Sequence, residues 1–213
     1  MISVKVFTFN DLQENTYVLF DETKEGVIID PGCYEKEEKQ ELSDFIEKND
    51  IRPVRLLNTH CHVDHVLGNA YVSKKYHLTV ETSKREEAQL RSVKVYAPMY
   101  GFHQYEETDK VICIEEGGKI VFGHSTLDIL SVPGHSPGHL AFLCQEQNFC
   151  VAGDVLFYRS IGRADLPGGD YKQLEKSIKE KLYVLEENTV IYPGHGSKTV
   201  ISEEKRYNPF VRV

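Results

Sequence analysis

The feature that most constrains this chain is a dense run of metal-ligand residue types directly after a short apolar strand. Residues Val54–Asn58 are predicted to form that strand, and the sequence THCHVDH follows at once at 59–65. Strand ends are rigid platforms, so side chains on the loops that follow them are held in a defined geometry. Single histidines in loops are common, but the spacing HxHxDH indicates a metal site rather than accidental clustering.

Three more side chains of the same chemistry each follow a predicted strand. They are His135 after Thr126–Val132, Asp154 after Phe149–Ala152, and His195 after Thr189–Tyr192. Imidazole nitrogen and carboxylate oxygen suit borderline divalent ions, with zinc as the first choice and iron or manganese as alternatives. Because ligands on the loops after such strands can converge at one edge of a core, the pattern predicts a site for two divalent metal ions.

The ligand types indicate how the two ions are shared. The predicted ligands of the first ion are His60, His62 and His135, and those of the second are Asp64, His65 and His195. Asp154 is predicted to bridge the ions, which lie roughly 3.5–4 Å apart in two-metal hydrolytic sites. A metal-bridged hydroxide is the expected nucleophile, so Asp64 and Asp154 are also the carboxylates that we expect to serve catalysis.

Length and composition limit the remaining choices. At 213 residues the chain fits one domain, spanning 1–213. Its formal charge of −8, from 25 basic and 33 acidic residues without a basic stripe, disfavours nucleic acid as a partner. We expect no membrane association, because there is no long apolar run, and a cytoplasmic location, because the N-terminus alternates like a strand instead of forming a secretory signal.

The hydrophobic pattern predicts an α+β fold. Further strands are predicted at Ser3–Phe9, Asn15–Phe20, Gly26–Ile29 (ended by a turn at Asp30-Pro31-Gly32), Lys119–Phe122 and Leu140–Cys144. Helices are predicted over Glu35–Lys48 and Val66–Tyr76, after a capping box at Ser83-x-x-Glu86, and after Asp170, with Leu174, Ile178, Leu182 and Leu185 on the apolar face of the last. Strand-rich halves with interspersed helices indicate two packed sheets covered by helices.

Five motifs together resemble the metallo-β-lactamase superfamily, and more narrowly its short glyoxalase II-like (hydroxyacylglutathione hydrolase-like) members. They are THCHVDH at 59–65, PGHSPGH at 133–139, AGDVLF at 152–157, GRADLPGGD at 162–170 and YPGHG at 192–196. The resemblance runs along the whole chain and implies the four-layer αββα sandwich of that superfamily. It also implies the two ligand sets given above, position by position, with Asp154 as the bridge.

The segment GRADLPGGD carries both structural and functional expectations. Gly168 and Gly169 are expected to form a turn, and Asp170 to cap the next helix. Arg163 is the candidate for holding an anionic group of the substrate. Full-length glyoxalase II enzymes carry a C-terminal helical domain that helps to hold glutathione. Only 18 residues follow His195 (213 minus 195), too few for such a domain, so glutathione recognition of that kind is not implied.

The resemblance implies a metal-dependent hydrolase acting on a small thiolester or ester, with S-D-lactoylglutathione-like compounds as first candidates. A persulfide dioxygenase with a single iron is the alternative on the same scaffold, although the LPGGD at 166–170 favours hydrolysis. Lactone or β-lactam hydrolysis is a third alternative, disfavoured because many true β-lactamases carry cysteine at the position of Asp154. A non-enzymatic binding module is disfavoured because every ligand position is filled.

Several residues near these motifs are expected to serve structure. His139 is expected to pack or hydrogen-bond behind the metal site, Cys61 to point into the core, and Tyr192 to pack beside the last ligand. The remaining histidines, expected at the surface, are His77, His103 and His124. The aromatic segment Tyr96–Asp109 is predicted to be a long surface loop, with one wall of the substrate cleft as its alternative role.

Overall fold

The structure is a computed structural model that describes residues 1–212, and the chain divides into two compact units. The first comprises Met1–Ile114 and Val121–Thr126, and the second comprises Glu115–Ile120 and the chain from Leu127 onward. The chain forms two six-stranded sheets; one lies within the first unit, and most residues of the other lie within the second. The organisation as a single domain stays a prediction. Among the described residues, no helix is long and apolar enough to cross a membrane.

The sheet of the first unit has six strands that neighbour one another in chain order. They are β1 (Ser3–Phe9), β2 (Glu14–Phe20), β3 (Glu25–Ile29), β4 (Arg52–Leu57), β5 (Val80–Thr82) and β6 (Val111–Cys113). Short turns make β1 to β3 antiparallel, whereas longer connections containing helices make β3 to β6 parallel. The helices are α1 (Lys36–Lys48), α2 (Val63–Val66), α3 (Asn69–Tyr76) and α4 (Glu87–Tyr96).

Helix α1 confirms the helix predicted over Glu35–Lys48. Glu35 at its N-cap and Glu38 in its first turn form a capping box. Leu42 and Ile46, one turn apart, are buried in the core of the first unit. The neighbouring strand β3 is buried at four of its five residues, as expected for a strand covered on both faces.

The helix predicted over Val66–Tyr76 is instead two helices, α2 and α3, with Gly68 between them. The amide of Gly68 donates a hydrogen bond to the carbonyl oxygen of Pro31 at 2.7 Å. A Cβ atom at this position would lie 2.5 Å from the sulfur of Cys33. The chain bends here to make a close approach that only glycine allows.

The sheet of the second unit has the strand order β14-β13-β10-β9-β8-β7. Its strands are β7 (Lys119–Phe122), β8 (Ser125–Ser131), β9 (Leu140–Cys144), β10 (Phe149–Gly153), β13 (Val190–Pro193) and β14 (Thr199–Val200), and β11 (Leu156–Phe157) and β12 (Ser160–Ile161) form a separate hairpin. Strands β10 and β13 are parallel. The helices are α5 (Tyr171–Ser177), continued by a π-helical turn over Ile178–Leu182, and α6 (Ile201–Tyr207).

Helix α5 begins where the sequence predicts. The Asp170 carboxylate accepts a hydrogen bond from the amide of Gln173 at 3.1 Å, which satisfies one of the unpaired donors at the helix start. Leu174, Ile178 and Leu182 are fully buried in the core of the second unit. The predicted cap is confirmed, and so is the apolar face at these three residues; Leu185 lies beyond the helix and is partly buried against the same core.

The segment Tyr96–Asp109 is more ordered than the surface loop that the sequence predicts. Helix α4 runs up to Tyr96, and a 3-10 turn follows. Phe102 is buried, and its ring packs edge-on against the ring of Tyr34 with centroids 5.1 Å apart. The amide of Gln104 donates a hydrogen bond to the Tyr34 hydroxyl. These contacts tie the segment to the chain just before α1.

Candidate metal centre

Four predicted ligands lie in the first unit, on the loop after β4 and in α2. His60 and His65 are fully buried, Asp64 is nearly so, and His62 is partly exposed. The ring centroid of His60 lies 4.8 Å from that of His62 and 4.1 Å from that of His65. The HxHxDH spacing therefore brings three imidazoles and one carboxylate together, as predicted.

Asp30, which the sequence predicts only as the start of a turn after a strand, is hydrogen-bonded to both ends of this loop. It is buried, with a positive φ of 50°. Its carboxylate accepts hydrogen bonds from the amide and hydroxyl of Thr59 and from Nδ1 of His65. Ligand-type atoms of Asp30, His60 and His65 lie within 4.8 Å of one another. Because these donors already engage both Asp30 oxygens, we assign this residue to orienting the ligands rather than binding metal.

The hydrogen bonds of the buried imidazoles define which ring nitrogen carries the lone pair. His65 donates from Nδ1 to Asp30 at 3.1 Å, so its lone pair is on Nε2. The Thr59 hydroxyl uses its one proton for Asp30 and therefore accepts from Nδ1 of His60 at 3.0 Å. A neutral imidazole held in this way through Nδ1 presents Nε2 as the ligand atom, an arrangement typical of metal sites.

Side-chain amides hold the backbone of the same loop. Asn10 donates a hydrogen bond to the carbonyl oxygen of Asp64 at 3.1 Å, and Asn58 donates to that of His65 at 3.0 Å. Asn69 in turn donates to the side chain of Asn58. Three asparagines from different parts of the unit thus hold the backbone of two predicted ligands.

Glu14, at the start of β2, is a second buried acid that the sequence analysis missed. Its carboxylate lies 3.8 Å from Nδ1 of His65 and within hydrogen-bond distance of the Thr16 hydroxyl. Burial raises the pKa of Glu14 well above its usual value, an effect that the neighbouring His65 opposes. The strand pattern of ENTYVL gives no signal that its first residue lies beside a histidine far along the chain.

The other three predicted ligands lie in the second unit, each after a strand. Oδ2 of Asp154 is 3.5 Å from Nε2 of His135 and 3.5 Å from Nε2 of His195. Asp154 and His135 are buried, whereas the side chain of His195 is 29% exposed. One carboxylate oxygen is therefore equidistant from two imidazole nitrogens, and one of the two rings is open to solvent.

The distances between these carboxylate oxygens and imidazole nitrogens show whether the side chains could share a metal ion. They exceed the roughly 2.7–2.9 Å of a charge-assisted N–H···O hydrogen bond. Two ligand atoms that are each about 2.1 Å from a tetrahedral ion lie about 3.4 Å from one another. The two distances to Asp154, and the 3.6 Å between Oδ2 of Asp64 and Nε2 of His65, are close to that second value. The donor set fits divalent metal ions.

His139 and a backbone carbonyl hold the ligands of the second unit. Nδ1 of His135 donates to the carbonyl oxygen of Arg163 at 2.8 Å, which leaves Nε2 as its ligand atom. His139 is fully buried; its Nδ1 donates to the carbonyl oxygen of Leu140, and its Nε2 accepts a hydrogen bond from the Asp154 amide at 3.1 Å. The predicted hydrogen-bonding role of His139 is confirmed.

The guanidinium of Arg163 forms an exposed, two-bonded ion pair with Asp165 at 2.7 and 2.8 Å. Hydrogen bonding from Arg163 lowers the pKa of Asp165 to about 2. Beside them, a Cβ atom on Gly162 would lie 1.9 Å from the carbonyl oxygen of Asp154, so the close approach of these segments requires glycine. Binding of a substrate anion by Arg163 stays a prediction.

The expectations for the remaining nearby residues are confirmed. Cys61 is fully buried, and its thiol contacts the hydroxyl of Thr82. Burial, reinforced by the Glu86 carboxylate, raises the pKa of this thiol well above its usual value. The ring of Tyr192 packs edge-on against Phe149. The histidines predicted at the surface are all exposed, namely His77, His103 and His124.

The sequence model of the metallo-beta-lactamase superfamily matches residues 9–195. This chain therefore belongs to the metallo-β-lactamase superfamily. It is 33% identical to a protein named probable metallo-hydrolase YqgX from Bacillus subtilis, over 94% of this chain and 93% of that one. It is 35% identical to a protein named hydroxyacylglutathione hydrolase GloC from Haemophilus influenzae, over 99% of this chain and 98% of that one.

Solved structures confirm the predicted α+β fold of the metallo-β-lactamase type. TTHA1623 in a di-iron-bound form is similar with a TM-score of 0.87 and 35% identity, covering 98% of this chain and 100% of that one. The BLEG-1 B3 metallo-beta-lactamase is similar with a TM-score of 0.86 and 32% identity, covering 99% of both chains.

Proposed function

We propose that this protein is a hydrolase with two divalent metal ions that cleaves a small thiolester or ester, with S-D-lactoylglutathione-like compounds as the first candidates. The observation that carries the proposal is that one oxygen of Asp154 lies 3.5 Å from Nε2 of both His135 and His195, so the same carboxylate could share an ion with either imidazole. Near full-length similarity to a protein named hydroxyacylglutathione hydrolase supports the substrate class. A cytoplasmic location and the lack of a nucleic-acid partner stay predictions.

In this proposal seven side chains hold the two ions. The ligands of the first ion are His60, His62 and His135, those of the second are Asp64, His65 and His195, and Asp154 serves both. Zinc is the first choice, because imidazoles dominate the set and carboxylates complete it. Iron and manganese are the alternatives, and the di-iron form of a relative with 35% identity supports iron.

Two divalent ions, when bound, supply a water that is activated near neutral pH and a Lewis acid for the substrate carbonyl. The chain's own residues supply a preorganised geometry, since Asp30 and His139 hold ligands in place before substrate arrives. Asp64 and Asp154 are the carboxylates that would accept or orient protons next to the reacting atoms. A thiolate is a good leaving group, so the proposal needs no general acid from the protein.

One observation favours a second candidate, β-lactam hydrolysis. The chain is 32% identical to the BLEG-1 B3 metallo-beta-lactamase along almost its whole length. Thiolesters and β-lactams are both attacked at a carbonyl carbon, so the same metal ligands serve either reaction. The two candidates differ in the groups that flank the carbonyl, and substrate preference therefore separates them.

The proposal is tested by assaying one preparation of the protein against S-D-lactoylglutathione, a chromogenic cephalosporin and glutathione persulfide, with metal content measured on the same sample. We expect thiolester cleavage and about two divalent ions per chain. Faster turnover of the cephalosporin would favour the second candidate. A single iron with oxygen uptake and no thiolester cleavage would contradict hydrolysis and identify a dioxygenase.

Single-ligand variants check that turnover depends on the proposed centre. His62→Ala and Asp154→Ala should each lose metal and nearly all turnover while remaining folded, because each removes a ligand and leaves the strands intact. His77→Ala, which changes an exposed histidine of the first unit, is the matched control and should retain both. Full turnover of either ligand variant at confirmed low metal content would refute the proposal.

A further inference from the structure

Glu86 is a buried acid that the proposed chemistry does not use. It ends a 3-10 turn over Lys84–Glu86 and immediately precedes α4. The residue is fully buried, and its Oε2 accepts a hydrogen bond from the amide of Cys61 at 2.9 Å. An ionised carboxylate is costly to bury unless it is hydrogen-bonded, so the groups it bonds indicate its role.

The local role that the sequence predicts for Glu86 is not the one observed. In a capping box, the Ser83 hydroxyl would accept from the amide of Glu86, and the Glu86 carboxylate from the amide of Ser83. Instead, the Ser83 hydroxyl accepts from the amide of Arg85 at 3.2 Å. The Glu86 carboxylate reaches an amide 25 positions earlier in the chain. Ser83 caps the helical turn as predicted, but the reciprocal half of the capping box is wrong, because the Glu86 carboxylate bonds the amide of Cys61 instead.

The amide that Glu86 holds lies between two predicted ligands. The Cys61 side chain points into the core, toward Thr82, while the neighbouring rings of His60 and His62 lie 4.8 Å apart and nearly perpendicular. Side chains two positions apart in an extended segment project to the same side. Fixing the amide between the two histidines therefore fixes the direction in which both imidazoles project.

We propose that Glu86 is a positioning residue for the metal ligands His60 and His62, an inference that rests on the proposed metal centre. The first turn of α4 favours a negative charge at this position. Helix α4 contributes Leu90 and Val93 to the same hydrophobic cluster as Cys61, so the carboxylate is carried by an element packed against the loop. Two buried carboxylates thus hold the loop, Asp30 at its ends and Glu86 in its middle.

The test measures metal affinity by competition with a chromogenic chelator, first for zinc and then for cobalt, whose visible absorption reports ligand geometry. Glu86→Ala removes the acceptor and should weaken metal binding by about 10–100-fold and alter the cobalt spectrum. Glu86→Gln keeps an oxygen that accepts from the same amide, and it should recover most of the affinity. The matched control is Glu81→Ala, which removes a buried acid of the same unit that pairs with Arg55.

Thermal unfolding of the metal-free proteins separates an effect on the ligands from an effect on the fold. Glu81→Ala should lower the unfolding temperature without changing metal affinity. If Glu86→Ala does not fold, Glu86→Asp, which keeps the charge but is one methylene shorter, should show the weakened binding. Unchanged affinity in folded Glu86→Ala or Glu86→Asp, with normal binding by the wild type, would overturn the positioning role alone. Absence of metal from the wild type would overturn the proposed centre as well.

Discussion

The two units carry their predicted ligands in contrasting ways. The first unit places four ligands within 60–65, on one loop and one short helix, and that loop is held by side chains from elsewhere in the unit, above all Asp30 and Glu86. The second unit places one predicted ligand after each of three strands, and the supports described above are the backbone carbonyl of Arg163 and the side chain of His139. A side chain can be removed by mutation, whereas a backbone group cannot. Substitutions of the residues that support the ligands should therefore lower metal affinity more in the first unit than in the second.

Removal of the Asp30 side chain tests this difference between the units most strongly, because it should cause the largest loss of metal affinity. Asp30→Ala leaves the Thr59 amide and Nδ1 of His65 without their acceptor, and each unsatisfied buried donor costs about 1–3 kcal/mol of unfolding free energy. Metal affinity should fall by about 100-fold, measured by chelator competition. The metal affinity of Asp30→Asn, which keeps one acceptor oxygen, should lie between those of Asp30→Ala and the wild type. Wild-type affinity in Asp30→Ala would contradict the orienting role.

The corresponding change in the second unit is His139→Ala, for which we expect a smaller effect. This variant removes the acceptor of the Asp154 amide, but the end of β10 still positions that residue. Metal affinity should fall by about tenfold, the lower end for residues that support metal ligands. A loss as large as that of Asp30→Ala, measured in the same chelator assay, would show that the two units do not differ in the way described.

Arg163 tests a support that mutation cannot remove, because its contact with the predicted ligand His135 is made by its backbone carbonyl. Arg163→Ala keeps the carbonyl that accepts from His135, so metal content should not change. If the guanidinium binds a substrate anion, KM for an anionic thiolester should rise, whereas KM for a neutral ester should not. Asp165→Ala, which removes the ion-pair partner, is the control and should retain metal in the same way. Loss of metal from Arg163→Ala would contradict the backbone assignment.

The smallest effect is expected at Asp21, a buried acid of the first unit away from the ligand loop. Burial opposes its ionisation, but hydrogen bonds from Thr23, Ser125 and the His124 amide outweigh burial and lower its pKa to about 2. Because an unfolded aspartate has a pKa of about 3.9, the charge stabilises the fold above about pH 4, and this contribution is lost as the pH falls to about 2.

Asp21→Asn should therefore lower the Tm at neutral pH and leave metal affinity unchanged. The difference in Tm from the wild type should narrow as the pH falls from about 4 toward 2, since both proteins then carry a neutral side chain at this position. Thermal unfolding across this range checks the prediction. A difference that is as large at the lowest pH as at neutral pH would contradict the lowered pKa.

The clustering of the proposed ligands within each unit was predictable from sequence, because metal chemistry demands particular residue types and strand ends supply regular places for them. The cap at Asp170 was predictable for the same kind of local reason, since its partner is three residues away. The hydrogen-bonding role of His139 was also predicted, but the supports of the ligand loop in the first unit were not predictable. Asp30 bonds a residue 35 positions along the chain, and Glu86 one 25 positions back, and no local pattern encodes such distances. The break at Gly68 was missed because it depends on a close approach to a distant segment.

The central claim is that seven side chains hold two metal ions and that Asp154 is shared between them. Elemental analysis of metal per chain, made after saturation with zinc and removal of loosely bound metal, tests it most directly when the wild type, Asp154→Ala and His77→Ala are compared. We expect about two ions in the wild type and in His77→Ala, and a loss of metal from both sites in Asp154→Ala. Two ions retained by Asp154→Ala, or a single ion in the saturated wild type, would contradict it.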